Sequence, residues 1–131
     1  MGGSGQCPFC QVAAPRILQA SSLAIALTDA FPVSRGHCLV IPRRHVRSWF
    51  ETSEDERREM LRLLDDAREI LRRDYGPDGF NIGINEGPAA GQTILHLHVH
   101  LIPRYAGDAR DPRGGVRWVL PERADYWSPS K

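Results

Sequence analysis

Residues 96–102 read His-Leu-His-Val-His-Leu-Ile, and this alternation constrains the fold more than any other stretch of the chain. Successive side chains of a strand point to opposite faces, so His96, His98 and His100 share one face and Leu97, Val99 and Leu101 the other. The apolar face must enter a core. The imidazoles then line a surface at intervals of roughly 6 to 7 Å, twice the rise per residue.

Four segments have strand character: 23–28 (LAIALT), 37–41 (HCLVI), 80–85 (FNIGIN) and 95–102 (LHLHVHLI). Each is rich in β-branched residues or alternates at period two, with Gly, Pro or polar residues at its ends. A fifth strand is expected at 116–120 (VRWVL). Between the second and third, residues 53–75 carry Met60, Leu63, Leu64, Ala67, Ile70 and Leu71 on one stripe at spacings of three and four. Ser53 and Glu56 make a capping box and Gly76-Pro77 a stop, so this is an amphipathic helix lying on a sheet. Interspersed acids make its arginines a solvated face rather than a nucleic-acid surface. With two strands before the helix and the rest after it, the reading is an α+β domain with an antiparallel five-stranded sheet.

A length of 131 residues fits one domain, and 41% hydrophobic with 25% charged residues is enough to bury a core. Seventeen basic against 16 acidic residues leave a net charge of +1, which gives no global field for nucleic acid or an anionic membrane. The only lysine is Lys131, so a Walker A lysine or a Schiff-base lysine inside the fold is improbable. There is no apolar run of membrane-spanning length and no secretory signal pattern, which points to a cytoplasmic protein. Residues 1–6 read as a flexible leader. The tail, 105–131, is rich in Gly, Pro, Asp and Arg, yet holds Trp118, Tyr126 and Trp127, so it is expected to dock on the body or on a second subunit.

Three imidazoles on one face admit three readings. One is a polar face that happens to use histidine, another a histidine-liganded catalytic zinc, and the third a nucleophile. Neutral imidazole is available at pH 7 and its phosphoryl adduct hydrolyses readily, which splits one difficult displacement into two easier ones. The cysteines are three, an odd number, with Cys7 and Cys10 spaced C-x-x-C; in a reducing setting that is a metal clip or a redox pair. Cys38, within an apolar run, reads as a small core residue.

HLHVHLI matches in full the His-φ-His-φ-His-φ-φ signature, φ being apolar, and the chain thus resembles the histidine triad (HIT) superfamily. Asn85-Glu86-Gly87, Gly91-Gln92-Thr93 and 36–42 (GHCLVIP) are similar to the other recurrent stretches of that family, in order and spacing. The resemblance spans about residues 7–104, and 108–118 looks like the tail of bacterial HIT hydrolases. It implies that His98 is the nucleophile taking up a nucleoside 5'-phosphoryl group, with His100 donating a hydrogen bond to the phosphoryl oxygens. Gln92 and Thr93 would orient the phosphate, Gly91 would let the backbone come close, and Asn85 would sit beside phosphate or ribose. Asp29 would accept from ribose hydroxyls, and Leu27 and Ala30, with Phe9, would build the base pocket. His37 would be a buried structural partner.

The resemblance also implies a closed Cys2His2 zinc site of Cys7, Cys10, His45 and His96, structural rather than water-activating. It implies a purine nucleotide substrate, a symmetric homodimer, and Mg²⁺ accompanying any polyphosphate substrate. Within this reading the substrate is a nucleoside phosphoramidate or a dinucleoside polyphosphate. The alternatives are a phosphorylase using the same site and a nucleotide-binding protein without turnover.

Overall fold

The computed structural model describes residues 7–129; the leader expected at 1–6, and Lys131, lie outside them. Five strands, β1 (Ile17–Ala20), β2 (Ala24–Thr28), β3 (Cys38–Pro42), β4 (Gly79–Ile84) and β5 (Val99–Arg104), form one sheet in the order β1-β2-β3-β5-β4. Every neighbouring pair is antiparallel. A single long helix, α1 (Glu54–Tyr75), crosses one face, and the expected α+β architecture is therefore present.

α1 begins where the sequence places it. Ser53 Oγ accepts from the Glu56 N–H at 3.0 Å while Glu56 accepts from the Ser53 N–H at 2.8 Å, closing the capping box. Gly76 takes φ 61°, a left-handed conformation that ends the helix at low steric cost. Met60, Leu63, Ala67 and Leu71 meet Ala24, Ala26, Val40, Leu97, Val99 and Leu101 in the main core. The opposite face of the sheet is covered by the N-terminal segment, where Phe9 packs on Ile25, Leu27, Leu39 and Ile41.

Two strand expectations need correction. The segment 116–120 is no strand; residues Gly115–Val119 form a 3-10 turn that the positive φ of Gly114 and Gly115, 90° and 44°, starts off. The Trp118 indole N–H donates to the Arg113 carbonyl at 2.6 Å, folding the segment on itself. The fifth strand is instead β1, which follows Pro15 and carries no clean alternation because it is a bulged edge strand. The histidine strand also starts later than expected, at Val99. Before it, the Leu97 N–H donates to the Val46 carbonyl at 2.7 Å, outside the sheet ladder, yet Leu97 remains fully buried and the alternation of faces persists.

After β5 the chain turns back over β4. Gly115 comes so near β4 that a Cβ there would stand 3.2 Å from the Asn81 amide nitrogen. A short helix, α2 (Pro121–Ala124), anchors this tail through the fully buried Ala124, and the Arg117 guanidinium donates to the carbonyls of Ala124 and Arg123, each at 2.8 Å. A second tight approach lies before β3, where Gly36, at φ 88°, packs against Leu71 and Tyr75 of α1.

The buried cap has a pH signature. Two hydrogen bonds from Arg44, with those at Ser53, bring the Glu56 carboxyl from an ordinary 4.5 down to about 2. A carboxylate with a depressed folded pKa adds stability that is complete above pH 4.5 and lost as pH falls toward 2. Urea unfolding should show Glu56→Gln clearly less stable than wild type at pH 7, with the gap narrowing at pH 3. Ser53→Ala should cost about 1 kcal/mol at both.

Candidate active site and metal cluster

Four nitrogen and sulfur atoms converge where the N-terminal segment meets the start of the histidine run. Cys7 Sγ lies 3.4 Å and Cys10 Sγ 3.7 Å from His96 Nδ1, Cys10 Sγ lies 3.2 Å from His45 Nδ1, and the two imidazole nitrogens are 3.1 Å apart. Edges of a tetrahedron around a cation with bonds of 2.0 to 2.3 Å run roughly 3.3 to 3.8 Å, so these separations suit a shared metal. The proton positions agree. His96 Nε2 is 2.8 Å from the Pro42 carbonyl, which only an N–H can satisfy, so Nδ1 carries the lone pair a metal takes. Burial and the neighbouring Cys7 raise the Cys10 thiol above its usual range, and a cation is what would hold two adjacent thiolates. Cys7, Cys10, His45 and His96 thus lie together and could hold a metal.

His98 follows on the same face, with its ring 5.1 Å from those of Phe9 and His100. Its Nδ1 is 2.8 Å from the His96 carbonyl, which makes Nδ1 the protonated nitrogen and leaves Nε2 with a lone pair. Only 9% of the residue is exposed.

A second chain of contacts sets the proton on His100. The Val33 N–H donates to His37 Nδ1 at 3.1 Å, so His37 carries its proton on Nε2. That N–H faces His100 Nδ1 at 3.0 Å and the Asp29 carboxylate at 3.3 Å. His100 therefore accepts at Nδ1 and presents Nε2–H outward as a donor. Asp29, His37 and His100 also cluster closely enough to hold a cation, but the Val33 bond leaves a proton where the metal would bind. The cluster is a hydrogen-bond relay. Burial lowers the His37 pKa, partly offset by Asp29, and burial with the neighbouring His98 and His37 takes His100 down to about 4.

Other expected residues fall in different places. Thr93 and Gly91 are exposed on the loop before the histidines, with Gly91 at φ 97°, and Asn85 is half-buried at the end of β4. Gln92 is turned inward: its Oε1 accepts from the Gly87 N–H at 2.9 Å and its Nε2 donates to the carbonyls of Arg47 and Ile94. Both of its N–H groups, the donors a phosphate would need, thus go to backbone carbonyls and tie this loop to Arg47. Leu27 has no exposed surface and belongs to the core under Phe9, while Ala30 is exposed beside Asp29. The sequence reading gave His37 a merely structural place and missed its link from Asp29 to His100. Its position eight residues after Asp29 held no spacing signal for that.

With this geometry in hand, the chain's relatives place it. Residues 11–107 match the HIT domain, and the chain belongs to the HIT family. An uncharacterised HIT-like protein of Methanocaldococcus jannaschii is 34% identical over 106 residues, which cover 78% of this chain and 81% of the relative. A Mycobacterium tuberculosis protein named AP-4-A phosphorylase is 33% identical over 94 residues, covering 71% of this chain and 48% of that one. A zinc-bound histidine triad protein of Mycobacterium smegmatis superposes with a TM-score of 0.71 at 35% identity, covering 84% and 86% of the two chains.

Because an unfolded imidazole takes its proton near 6.5 and folded His100 resists it until about 4, this group weakens folding as pH drops from 6.5 toward 4. Nitrogen-15 imidazole NMR should find His100 as the neutral Nε2–H form at pH 6. A midpoint near 6.5 would contradict the relay.

Proposed function

We propose that this chain moves a nucleoside 5'-phosphoryl group onto His98 and then to water, with a nucleoside phosphoramidate or dinucleoside polyphosphate as substrate. The observation that carries the reading is the bond from His98 Nδ1–H to the His96 carbonyl, which leaves the lone pair of Nε2 free beside the His100 donor. In the first step Nε2 forms a bond to phosphorus as the bond to the leaving group breaks, and the leaving group departs with the electron pair and gains a proton from solvent. In the second, water attacks phosphorus, the phosphorus–nitrogen bond breaks, and neutral His98 returns with one proton released.

The Nε2–H of His100 is aimed at phosphoryl oxygens, whose negative charge grows during transfer, and donors fixed in advance count most there. Thr93 and the backbone at Gly91 serve the same oxygens, Asn85 binds beside phosphate or ribose, and Asp29, whose two carboxylate oxygens already meet the Phe31 N–H at 2.8 Å and His37 at 3.3 Å, accepts from ribose hydroxyls through their remaining lone pairs. Zinc is the metal we assign to Cys7, Cys10, His45 and His96. Four N and S ligands close its coordination sphere, so it would clip the N-terminal segment to the histidine run and activate no water. The outer edge of β4, with exposed Ile82 beside a 310 Å³ apolar groove that reaches Leu61 and Leu64 of α1, is the surface we assign to a symmetric homodimer. Three free cysteines suit a reducing, cytoplasmic setting, and no helix among the described residues is long and apolar enough to cross a membrane.

Chromatography of products from adenosine phosphoramidate and diadenosine tetraphosphate tests the reading. AMP release should fall on the order of a thousandfold or more in His98→Ala. ADP formed only with added phosphate would mean a phosphorylase, and tight AMP binding without turnover would mean a binding protein. Mass spectrometry of purified protein should find about one zinc per chain, lost in Cys10→Ser together with thermal stability. AMP release by that variant while folded would agree with a structural metal; its complete loss would not.

A further inference from the structure

Cys7 and Cys10 can serve two chemistries, and a metal clip uses only one of them. Their turn is closed by the Cys10 N–H, which donates to the Cys7 carbonyl at 3.2 Å, and their sulfurs lie within 4.8 Å of each other. Both are half-buried, within reach of a small oxidant in solvent. Cys38 is walled off from them. It is fully buried in the core beneath α1, whereas Cys7 packs with Phe9 on the opposite face of the sheet. A sulfur oxidised at one end of the turn therefore has one partner, the sulfur at the other end.

These sulfurs hold a cover in place. Among the described residues, no hydrogen bond joins the backbone of 7–12 to the sheet; the contacts of Cys7 and Cys10 with His45 and His96 are the polar ties of this segment to the rest of the chain. Its other hold is apolar, with Phe9 only 5% exposed and packed with Cys7 and Val12 on Ile25, Leu27, Leu39 and Ile41. The Phe9 ring stands 5.1 Å from that of His98 and 5.8 Å from that of His96. The aromatic residue between the two thiols thus covers His98. A sulfur in a disulfide has neither the proton a thiol donates nor the charge a metal takes, so oxidation removes the ties to His45 and His96 together.

We propose that Cys7 and Cys10 are a redox-modification site that latches residues 7–12 over His98, and that oxidation of the pair to a disulfide by a peroxide releases the latch. One thiolate attacks a peroxide oxygen, the oxygen–oxygen bond breaks, and a sulfenic acid forms as the first water leaves. The second thiolate attacks that sulfur, the sulfur–sulfur bond forms, and the sulfenic oxygen leaves as the second water. The sulfurs give up two electrons, the peroxide takes them with two protons from solvent, and a cation held by the pair departs with its charge unchanged. The metal half of the latch rests on the zinc proposed for this cluster; the sulfur pairing does not.

The test treats the full chain, its zinc content measured beforehand, with hydrogen peroxide. Trypsin, cutting after Arg16, Arg35 and Arg43, separates the pair in 1–16 from Cys38 in 36–43. The first peptide should lose two hydrogens while the second keeps its thiol, and zinc should be freed in step. Diethyl pyrocarbonate should then modify His98 at least about threefold faster, the sign of a local opening, and dithiothreitol with zinc should restore the slow rate. Cys38→Ala should respond as wild type. Reduced Phe9→Ala, its fold checked by circular dichroism, should already show the fast reaction and gain nothing from peroxide. Oxygen added at Cys7 or Cys10 without the sulfur–sulfur bond, or a disulfide that leaves His98 no more reactive, would overturn the latch. Zinc-loaded protein that keeps both thiols under peroxide sinks the latch and spares the metal assignment. Protein that purifies without zinc, yet forms the disulfide and uncovers His98, keeps the latch and sinks that assignment.

Discussion

The site depends on how His96 is held. Its ring is wholly buried, with one nitrogen bonded to the Pro42 carbonyl at the end of β3 and the other facing two thiols and His45. Its own carbonyl accepts the proton-bearing nitrogen of His98. One residue thus links the sheet, the N-terminal segment and the tautomer of the next histidine. Without that carbonyl, His98 would be free to carry its proton on either nitrogen, and its reactive lone pair would not be fixed in place.

Burial is the second constraint, and it acts in opposite directions on the two ends of the face. At the His100 end it disfavours the imidazolium, so His37 and His100 stay neutral and hand one another defined donor and acceptor nitrogens. At the cysteine end it disfavours the Cys10 thiolate, whose charge a cation held by the cluster would balance. The same low-polarity setting produces a neutral hydrogen-bond relay at one end and a metal-shaped cluster at the other. The difference lies in the partners, a carboxylate and a backbone N–H in one case and two sulfurs in the other.

Much of this could be read from residue order alone, for physical reasons that also say where reading stops. α1 was legible because Ser53, Glu56, the apolar stripe and Gly76 each mark it locally. The two faces of 96–101 were legible because alternation is a backbone property, which survives even where the ladder does not begin until Val99. β1 has no such local mark; it is defined by its pairing with β2. The segment 116–120 has strand composition, but two preceding glycines with positive φ curl it into a turn. Within the site, residue types were legible and side-chain directions were not. Gln92 has the amide a phosphate would want, yet two backbone groups of its own loop and the Arg47 carbonyl claim it, and Leu27 sits at a base-pocket position but lies under Phe9.

The contact of Gly36 with the last turn of α1 couples two parts of the chain that otherwise have little in common. A side chain at 36 would stand 3.0 Å from the Tyr75 ring and 3.1 Å from Leu71, and His37 is the next residue. The end of the helix is therefore the surface against which the relay histidine is set. Among descendants of this sequence, positions 36, 71 and 75 should drift together: a methyl group at 36 becomes tolerable only when the ring at 75 shrinks and the left-handed turn is relieved. A change on the far side of the sheet from the histidines can in this way be filtered by selection on the site it never touches.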